Sequence, residues 1–225
     1  MAVFGIPVVA LGFVPLVVFT VLGYRSFSIS AGSMKPSLHV GDIVVAAPFT
    51  GRLERGDVVV FEHPVSRVYY VKRILALPGE RIAISRGQLL IDGSPLPLRQ
   101  IEDFVEPFRK DGPALPLCEN SPAPGEACRK PAWVEKLPEG REIATLNLSH
   151  RVQGDTMPTV AVPPGHVFVL GDNRDNSLDS RLPVDSGGIG PVPLANIGYR
   201  ARYVWLSRQA EAPWIALDRI LRQVK

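Results

Sequence analysis

The sequence contains few of the residues that bind metal ions, and it has almost no excess of one charge. Its 225 residues include two cysteines and four histidines, and His39, His63, His150 and His166 are too scattered to form a zinc-binding pattern. The formal net charge is only +3, and no motif combines basic with aromatic residues as nucleic-acid-binding proteins do. We therefore expect no metal, no other cofactor and no nucleic acid partner.

Long helices are not expected either. Glycine and proline number 20 and 22, and neither is well tolerated in the interior of a helix. Hydrophobic residues make up 46% and charged residues 21%, which excludes a disordered chain and suffices for a core. Turn residues separate short segments rich in Val, Ile, Tyr and Phe, such as DIVVAAPF, DVVVFEH, VYYVKRILAL and HVFVLG. This pattern predicts a mainly β fold with many short strands.

The N-terminal segment is uncharged from residue 2 to residue 24. Its run VFGIPVVALGFVPLVVFTVLG is long enough for a helix that crosses a bilayer, which needs ~20 residues. The alternative is a cleaved secretory signal, but no basic residues precede the run and it exceeds the usual length of such a signal. We expect a transmembrane anchor over residues 1–24.

The two cysteines, Cys118 and Cys128, lie in the loop-like stretch LCENSPAPGEACRK. They are either two unrelated thiols or a disulfide that closes a short loop, and we favour the disulfide. It would contribute roughly 3 kcal/mol to stability and would indicate an oxidising compartment such as the periplasm. An anchor together with a disulfide places the remainder of the chain outside the cytoplasm.

The C-terminal stretch APWIALDRILRQVK has a different periodicity. Trp214, Leu217, Leu221 and Val224 recur at helical spacing. The stripe predicts a short helix packed on the β structure, with an interfacial helix on anionic lipid as the alternative.

Two residues are candidates for catalysis, Ser33 in the turn AGSMKPS and Lys72 in the apolar run VYYVKRILAL. A serine hydroxyl needs a base to become a good nucleophile. A lysine has a pKa near 10.4 in water, and burial lowers that value until the amine can serve as a general base. The ordinary explanations are a turn serine and a strand lysine whose ammonium reaches water, and from the pattern alone these weigh more.

A third stretch, GDNRDNSLDSR from Gly171, follows the apolar segment HVFVL. It superficially resembles a calcium loop but lacks the positions and flanking helices of an EF-hand. Its acidic and basic residues could instead lock the loop by salt bridges and hold Ser177 rigidly near a catalytic base.

Taken together and in order, GSMKPSL, RGDVVVF, YYVKR followed by LPGE, and GDNRDNSLDSR resemble the bacterial type I signal peptidases of the Gram-negative type. These enzymes are membrane-bound serine proteases with a Ser-Lys dyad. The resemblance covers roughly residues 24–95 and 160–206. The Pro-, Glu- and Gly-rich segment between them falls where Gram-negative members carry a second β domain, and the cysteine pair falls where some carry a disulfide.

The resemblance implies a mainly β architecture, in which a transmembrane helix precedes a β-barrel-like catalytic domain of antiparallel sheets with an inserted smaller β-rich domain. The expected divisions are an anchor, a discontinuous catalytic domain, an inserted domain with the disulfide, and a C-terminal amphipathic helix or tail: residues 1–24, 25–95 with 160–207, 96–159, and 208–225.

The resemblance also implies a role for each matching residue. Ser33 would be the acylating nucleophile, Lys72 the general base, and Ser177 the residue that orients the Lys72 amine. Ion pairs would hold the surrounding loop, and their expected members are Asp179, Arg181, Asp172, Arg73 and Arg174.

Two shallow apolar pockets are expected to accept small side chains at the −1 and −3 positions of an extended substrate, the Ala-x-Ala rule. The first would be lined by Met34, Leu38, Tyr70 and Val71, and the second by Phe27, Ile29 and Val71. Ala31 departs from many Gram-negative members, which carry a serine there that donates to the oxyanion. The oxyanion would then depend mainly on the Ser33 backbone N–H.

The implied function is removal of signal peptides from exported preproteins by a monomeric, single-pass enzyme of the inner (cytoplasmic) membrane, with its catalytic domain in the periplasm. The partners would be preprotein signal peptides and membrane lipid. One alternative is a conjugative-transfer peptidase with one dedicated substrate. Another is a non-catalytic, membrane-tethered β domain that binds extended peptides.

Overall fold

The computed structural model describes residues 22–63, 65–110, 115–148, 154–209 and 214–224. Most of the predicted anchor, residues 1–21, lies outside this part of the chain. Within the described residues, none of the helices has the length and apolar character needed to span a bilayer.

The described chain consists of short strands joined by turns and short 3-10 helices. The strands are β1 (Arg25–Ser28), β2 (Asp42–Pro48), β3 (Val58–Glu62), β4 (Tyr69–Ala76), β5 (Arg81–Ser85), β6 (Gln88–Ile91), β7 (Ser94–Pro95), β8 (Leu98–Pro107), β9 (Ala127–Lys136), β10 (Glu142–Leu146), β11 (Met157–Ala161), β12 (His166–Leu170), β13 (Val192–Pro193) and β14 (Ile197–Ser207). The 3-10 helices are η1 (Gly32–Met34), η2 (Arg174–Asn176), η3 (Val184–Ser186), η4 (Leu194–Asn196) and η5 (Leu217–Arg219).

A seven-stranded sheet, in the order β1-β2-β14-β3-β4-β12-β13, is the largest sheet among the described residues. Its neighbouring strands pair antiparallel, and β3 is apolar along most of its length. Alternation along β4 sends Ile74 to one hydrophobic core and Leu75 to another. The prediction of a mainly β fold with antiparallel sheets is confirmed.

The described residues also form two smaller sheets. The order β11-β5-β6-β7 defines a four-stranded sheet, and β10-β9-β8 defines a three-stranded sheet. The four-stranded sheet shares a core with β4 and β12, in which Ile82 and Leu89 pack with Leu75 and Phe168. The three-stranded sheet comes from within the segment 96–159, for which an inserted domain is predicted.

Cys118, in the connection from β8 to β9, forms the predicted disulfide with Cys128 at the start of β9. Their Cα atoms are 5.3 Å apart, within the range that an S–S bond spans.

The C-terminal segment differs from the predicted helix. Residues 214–224 contain only the three-residue η5, and the rest runs back along β14 as isolated bridges. The Leu221 and Val224 amides donate to the carbonyls of Val204 and Arg202, at 2.7 and 2.8 Å, so backbone groups that a helix would pair internally are used by β14. Of the apolar stripe, Trp214, Leu217 and Leu221 are exposed, and only Val224 packs against buried residues.

Candidate active site

Ser33 lies in η1, the tight turn that follows β1. Met34 is buried beneath the turn with Ile29 and Leu38, and the Lys35 amide closes the turn on the Gly32 carbonyl at 3.2 Å. Packing on one side therefore leaves the Ser33 side chain half-exposed on the other.

Lys72 projects from the middle of β4 and is only 3% exposed. Its Nζ donates to Ser33 Oγ at 2.8 Å and to the Val71 carbonyl at 3.1 Å. The fold thus brings together two residues from separate sequence motifs.

The surroundings of Lys72 favour the neutral amine. Burial is the largest influence and lowers its pKa from 10.5 to about 8. Asp179 and Asp172 oppose this shift through their negative charge, while Arg181 adds to it. At this pKa an appreciable fraction of Lys72 is unprotonated near neutrality, and such an amine can take the proton of the hydroxyl beside it.

The loop from Gly171 to Arg181 packs against the Ser33 turn. The Asn173 amide donates to the Ser33 carbonyl at 3.0 Å, and the Asn173 side chain donates to the Gly32 carbonyl at 3.0 Å. A Cβ on Gly171 would come within 2.5 Å of the Ser33 carbonyl oxygen and would overlap Ser177 Oγ. Only glycine therefore permits the turn and the loop to approach so closely.

The Ser177 hydroxyl is buried, and within the described structure its Oγ has no hydrogen-bond partner. It lies against Gly171 on the same side as the Ser33 carbonyl. The predicted hydrogen bond to the Lys72 amine is not among the contacts of that amine, which bonds to Ser33 and Val71.

Ion pairs hold the loop in place. Arg181 pairs with Asp179 through two bonds of 2.8 and 2.9 Å, and Asp179 accepts the Gly171 amide at 3.1 Å. Arg73, next to Lys72, pairs with Asp172 through two bonds of 2.7 Å, with both side chains 1% exposed.

Arg174 pairs with Glu135, a residue that belongs to none of the motifs described above. Its guanidinium donates to both oxygens of Glu135, at 2.6 and 2.7 Å, and to the Gly171 carbonyl at 3.1 Å. Glu135 lies on β9 of the three-stranded sheet. The only hint in the sequence was a glutamate inside the apolar run AWVEK, the same type of signal that singled out Lys72.

An open cleft of about 390 Å³ leads to the Ser33–Lys72 pair. Its walls are residues 28–34 on one side and 68–72 on the other, with Asn176 and Leu178 at one end. Of the six residues predicted to contact substrate, four line it: Ile29, Met34, Tyr70 and Val71.

The other two predicted substrate residues lie elsewhere. Leu38 is fully buried below the cleft, in contact with the cluster that includes Ile29 and Met34. The Phe27 ring packs against Tyr69, at 5.5 Å between centroids, and against Tyr199, at 5.3 Å. Ala31 does line the cleft, and its methyl group offers no hydrogen-bond donor there.

Both walls of the cleft present strand edges. β1 is the terminal strand of its sheet and pairs only with β2 in the described chain. On β4, pairing with β12 begins at Arg73, so residues 69–72 pair with β3 alone. An extended peptide could add to these edges by backbone hydrogen bonds.

The described residues contain no group of three or more His, Cys, Asp or Glu side chains arranged to hold a metal ion. The chemistry that the cleft offers is that of a hydroxyl, a buried amine and free backbone groups.

Comparison with known proteins places the chain in a family. The family described as "Signal peptidase, peptidase S26" matches residues 2–206. Signal peptidase I of Pseudomonas aeruginosa is 31% identical over 220 residues, covering 85% of this chain and 69% of that protein. Signal peptidase I of Bacillus amyloliquefaciens is 30% identical over 185 residues, covering 81% of this chain and 74% of that protein. A crystal structure of a signal peptidase I from Enterococcus faecalis aligns with a TM-score of 0.35 at 21% identity, over 67% of this chain and 98% of that one. By the extent of the family match and the 31% identity to the Pseudomonas aeruginosa protein, the chain belongs to the signal peptidase family, peptidase S26.

Proposed function

We propose that this protein is a membrane-anchored serine endopeptidase that removes signal peptides from exported preproteins and cleaves after small residues. The observation that carries the proposal is the 2.8 Å contact between Lys72 Nζ and Ser33 Oγ at the base of an open cleft. Membership of the peptidase S26 family supports it, as do relatives named signal peptidase I.

In the proposed reaction, the neutral Lys72 amine takes the Ser33 hydroxyl proton as Oγ attacks the carbonyl carbon of the scissile peptide. The tetrahedral intermediate collapses when the C–N bond breaks, and the Lys72 ammonium returns the proton to the leaving amine. The neutral amine then deprotonates a water molecule, which hydrolyses the Ser33 ester and restores the free enzyme. Two residues thus serve both half-reactions.

We assign Ser177 the task of orienting the Lys72 amine during these transfers. Its buried hydroxyl has no other partner in the described structure and lies beside the Ser33 turn. Because Ala31 offers no hydroxyl, the backbone N–H of Ser33 is the main donor that we propose for the oxyanion.

The substrate would bind as an extended strand between residues 28–31 and 69–72. Ile29, Met34, Tyr70 and Val71 would line shallow pockets for small side chains at positions −1 and −3. Leu38 and Phe27 would shape these pockets from behind, because Leu38 is buried and Phe27 packs against Tyr69.

We further propose that residues 1–24 anchor a monomer in the inner membrane with residues 25–225 in the periplasm. The support is the uncharged apolar run in the sequence and the Cys118–Cys128 disulfide, which indicates an oxidising compartment.

Cleavage of a preprotein with an Ala-x-Ala site by the purified full chain in detergent tests the proposal. Wild type should cut after the −1 alanine, as read by mass spectrometry of the new N-terminus, and Ser33→Ala should not. Absence of cleavage by folded wild type, followed by cleavage of a single dedicated substrate, would favour the conjugative-transfer alternative. Binding of the peptide without any cleavage would favour the non-catalytic β domain.

A further inference from the structure

The three-stranded sheet β8–β9–β10 contacts both segments that carry the proposed catalytic groups. Two carboxylates on neighbouring strands make these contacts, Glu106 on β8 and Glu135 on β9. Each one pairs with a cation from a different segment of the active site.

Glu106 connects the sheet to the Ser33 turn. One carboxylate oxygen accepts the Lys35 ammonium, and the other accepts Lys130 of β9 at 2.5 Å. Lys35 is 4% exposed and Lys130 1%, so both ammonium groups are removed from water. Burial alone would raise the pKa of Glu106, but hydrogen bonds from the two lysines hold it below its ordinary value. The Glu106 carboxylate therefore stays ionised at neutral pH.

Lys35 is also part of the turn that presents Ser33. Its backbone amide closes the turn on the Gly32 carbonyl at 3.2 Å. Its side-chain methylenes pass close enough to Gly32 that a Cβ there would meet them at 3.5 Å. Fixing the Lys35 ammonium thus restricts the backbone at Gly32 and at Lys35, before and after Ser33 in the turn.

Glu135 connects the sheet to the loop of Ser177. Through Arg174 it is linked to the Gly171 carbonyl, and the Gly171 amide is in turn bonded to Asp179. Backbone contacts reinforce the connection, because the Leu146 amide at the end of β10 donates to the Asp172 carbonyl at 2.8 Å.

Stability alone does not account for these buried ion pairs. Removing two charges from water carries a penalty that apolar residues of similar size would not carry, so a buried pair is weak support for stability. A bidentate pair such as Arg174–Glu135 does fix geometry, because its two hydrogen bonds form together in only one relative orientation of the side chains.

We propose that Glu106 and Glu135 are positioning residues, through which the three-stranded sheet holds the Ser33 turn and the Gly171–Arg181 loop in register with Lys72. The inference rests on the proposed function and extends it to residues outside the dyad. A misplacement of about 1 Å in an active site can reduce turnover by about 100-fold, so small shifts of either segment matter.

The experiment compares kcat, KM and the pH profile of preprotein cleavage for four full-chain proteins: wild type, two variants and one control variant. The two variants are Glu135→Gln and Lys35→Met. Lys35→Met removes the ammonium through which Glu106 contacts the Ser33 turn, while Glu106 still pairs with Lys130. Glu102→Gln is the matched control, because Glu102 lies on β8 with an exposed side chain. Thermal unfolding of each protein checks that the fold is intact.

We expect kcat to fall by about 10- to 100-fold in both variants with KM within about twofold, because the loss is one of alignment. In Glu135→Gln the acidic limb of the pH profile should move upward. The charged groups that act on Lys72 are Asp179, Asp172 and Arg181. A loosened loop admits water to Lys72, which weakens the effect of burial and raises the pKa of its amine. Glu102→Gln should match wild type.

Wild-type kcat and an unchanged pH profile in the folded variants would overturn the positioning role and leave the proposed function intact. Should Glu135→Gln not fold, Arg174→Lys replaces it, because it keeps the charge and removes the forked contact. A folded Arg174→Lys protein with wild-type kcat would overturn the role equally. Failure of wild type to cleave would count against the proposed function instead.

Discussion

Lys72 combines two properties that are unusual in a lysine, nearly complete burial and a serine hydroxyl at 2.8 Å. Burial disfavours the ammonium form, and the negative charges of Asp179 and Asp172 limit how far the pKa of Lys72 falls. The result is a pKa near the operating range of an enzyme that works at neutral or mildly alkaline pH.

The pH dependence of cleavage follows from this pKa. Below a pH of about 8 most of the Lys72 amine is protonated, and the protonated form cannot accept the Ser33 proton. We expect kcat/KM to rise with pH and level off above that value, so that the rate at pH 6 is about 100-fold below the plateau. Initial rates between pH 5 and 9 provide the measurement.

A lysine-to-arginine exchange tests the same role from the other direction. Arginine stays protonated at every pH used, so Lys72→Arg should be as inactive as Ser33→Ala. A rate independent of pH between 5 and 9, or retained activity in Lys72→Arg, would contradict the role of Lys72 as base.

Gly171 sets the distance between the Ser33 turn and the Ser177 loop. Since an added methyl group would lie 2.5 Å from the Ser33 carbonyl oxygen and overlap Ser177, Gly171→Ala must push the two segments apart. We expect kcat to fall by about 100-fold and stability by about 1–3 kcal/mol. Gly51→Ala is the control, because no atom lies within 4 Å of its Cβ position. Equal kcat in the two variants would show that the close approach is not needed.

At the scale of elements, local pattern predicted the strands well and the C-terminal segment poorly. β3 (VVVFE) and β4 (YYVKRILA) are rich in β-branched and aromatic residues, which favour strands. The C-terminal stripe has helical spacing, yet its backbone pairs with β14, because a segment this short gains more from an existing strand than from a helix nucleus.

The candidate site could likewise be predicted only in part from the sequence. Ser33 and Lys72 could be named through motifs that resemble a known family. Glu106 and Glu135 could not, because their partners are far away in sequence and the pairing depends on how β8 and β9 lie against two loops. Alternation along a strand shows which face a residue is on, but not what packs against that face.

One ion pair explains why the C-terminal segment stays on the sheet. Arg219 of η5 donates to both oxygens of Asp42 at the start of β2, at 3.1 and 2.5 Å, and both side chains are buried. Arg219→Gln leaves the Asp42 carboxylate buried without its cation, so we expect a loss of about 3–5 kcal/mol in the free energy of unfolding. Urea unfolding measures it.

Arg222→Gln serves as the control for that experiment, since the Arg222 side chain is exposed three residues further on. It should change the free energy of unfolding by less than about 0.5 kcal/mol. Equal stability of the two variants would mean that the Arg219–Asp42 pair does not hold the segment in place.

At the scale of the whole molecule, the proposed active site is assembled from two sheets. The seven-stranded sheet supplies β1 and β4, which form the cleft, and the three-stranded sheet supplies carboxylates that contact both flanking segments. The disulfide ties the connection between β8 and β9 to the latter sheet through Cys128, which is directly opposite Glu106 in the β8–β9 register. Formation or reduction of this disulfide therefore acts on the part of the sheet that contacts the Ser33 turn through Glu106.

Topology in the cell is the last prediction. If residues 1–24 cross the membrane with the cleft outside, protease added to spheroplasts should digest the folded part of the chain. In the same sample Cys118 and Cys128 should resist alkylation until they are reduced, because the bond forms only in an oxidising compartment. A cytoplasmic protein should stay intact as the control. Two free thiols in a chain protected from protease would place the cleft in the cytoplasm, on the wrong side of the membrane for exported preproteins.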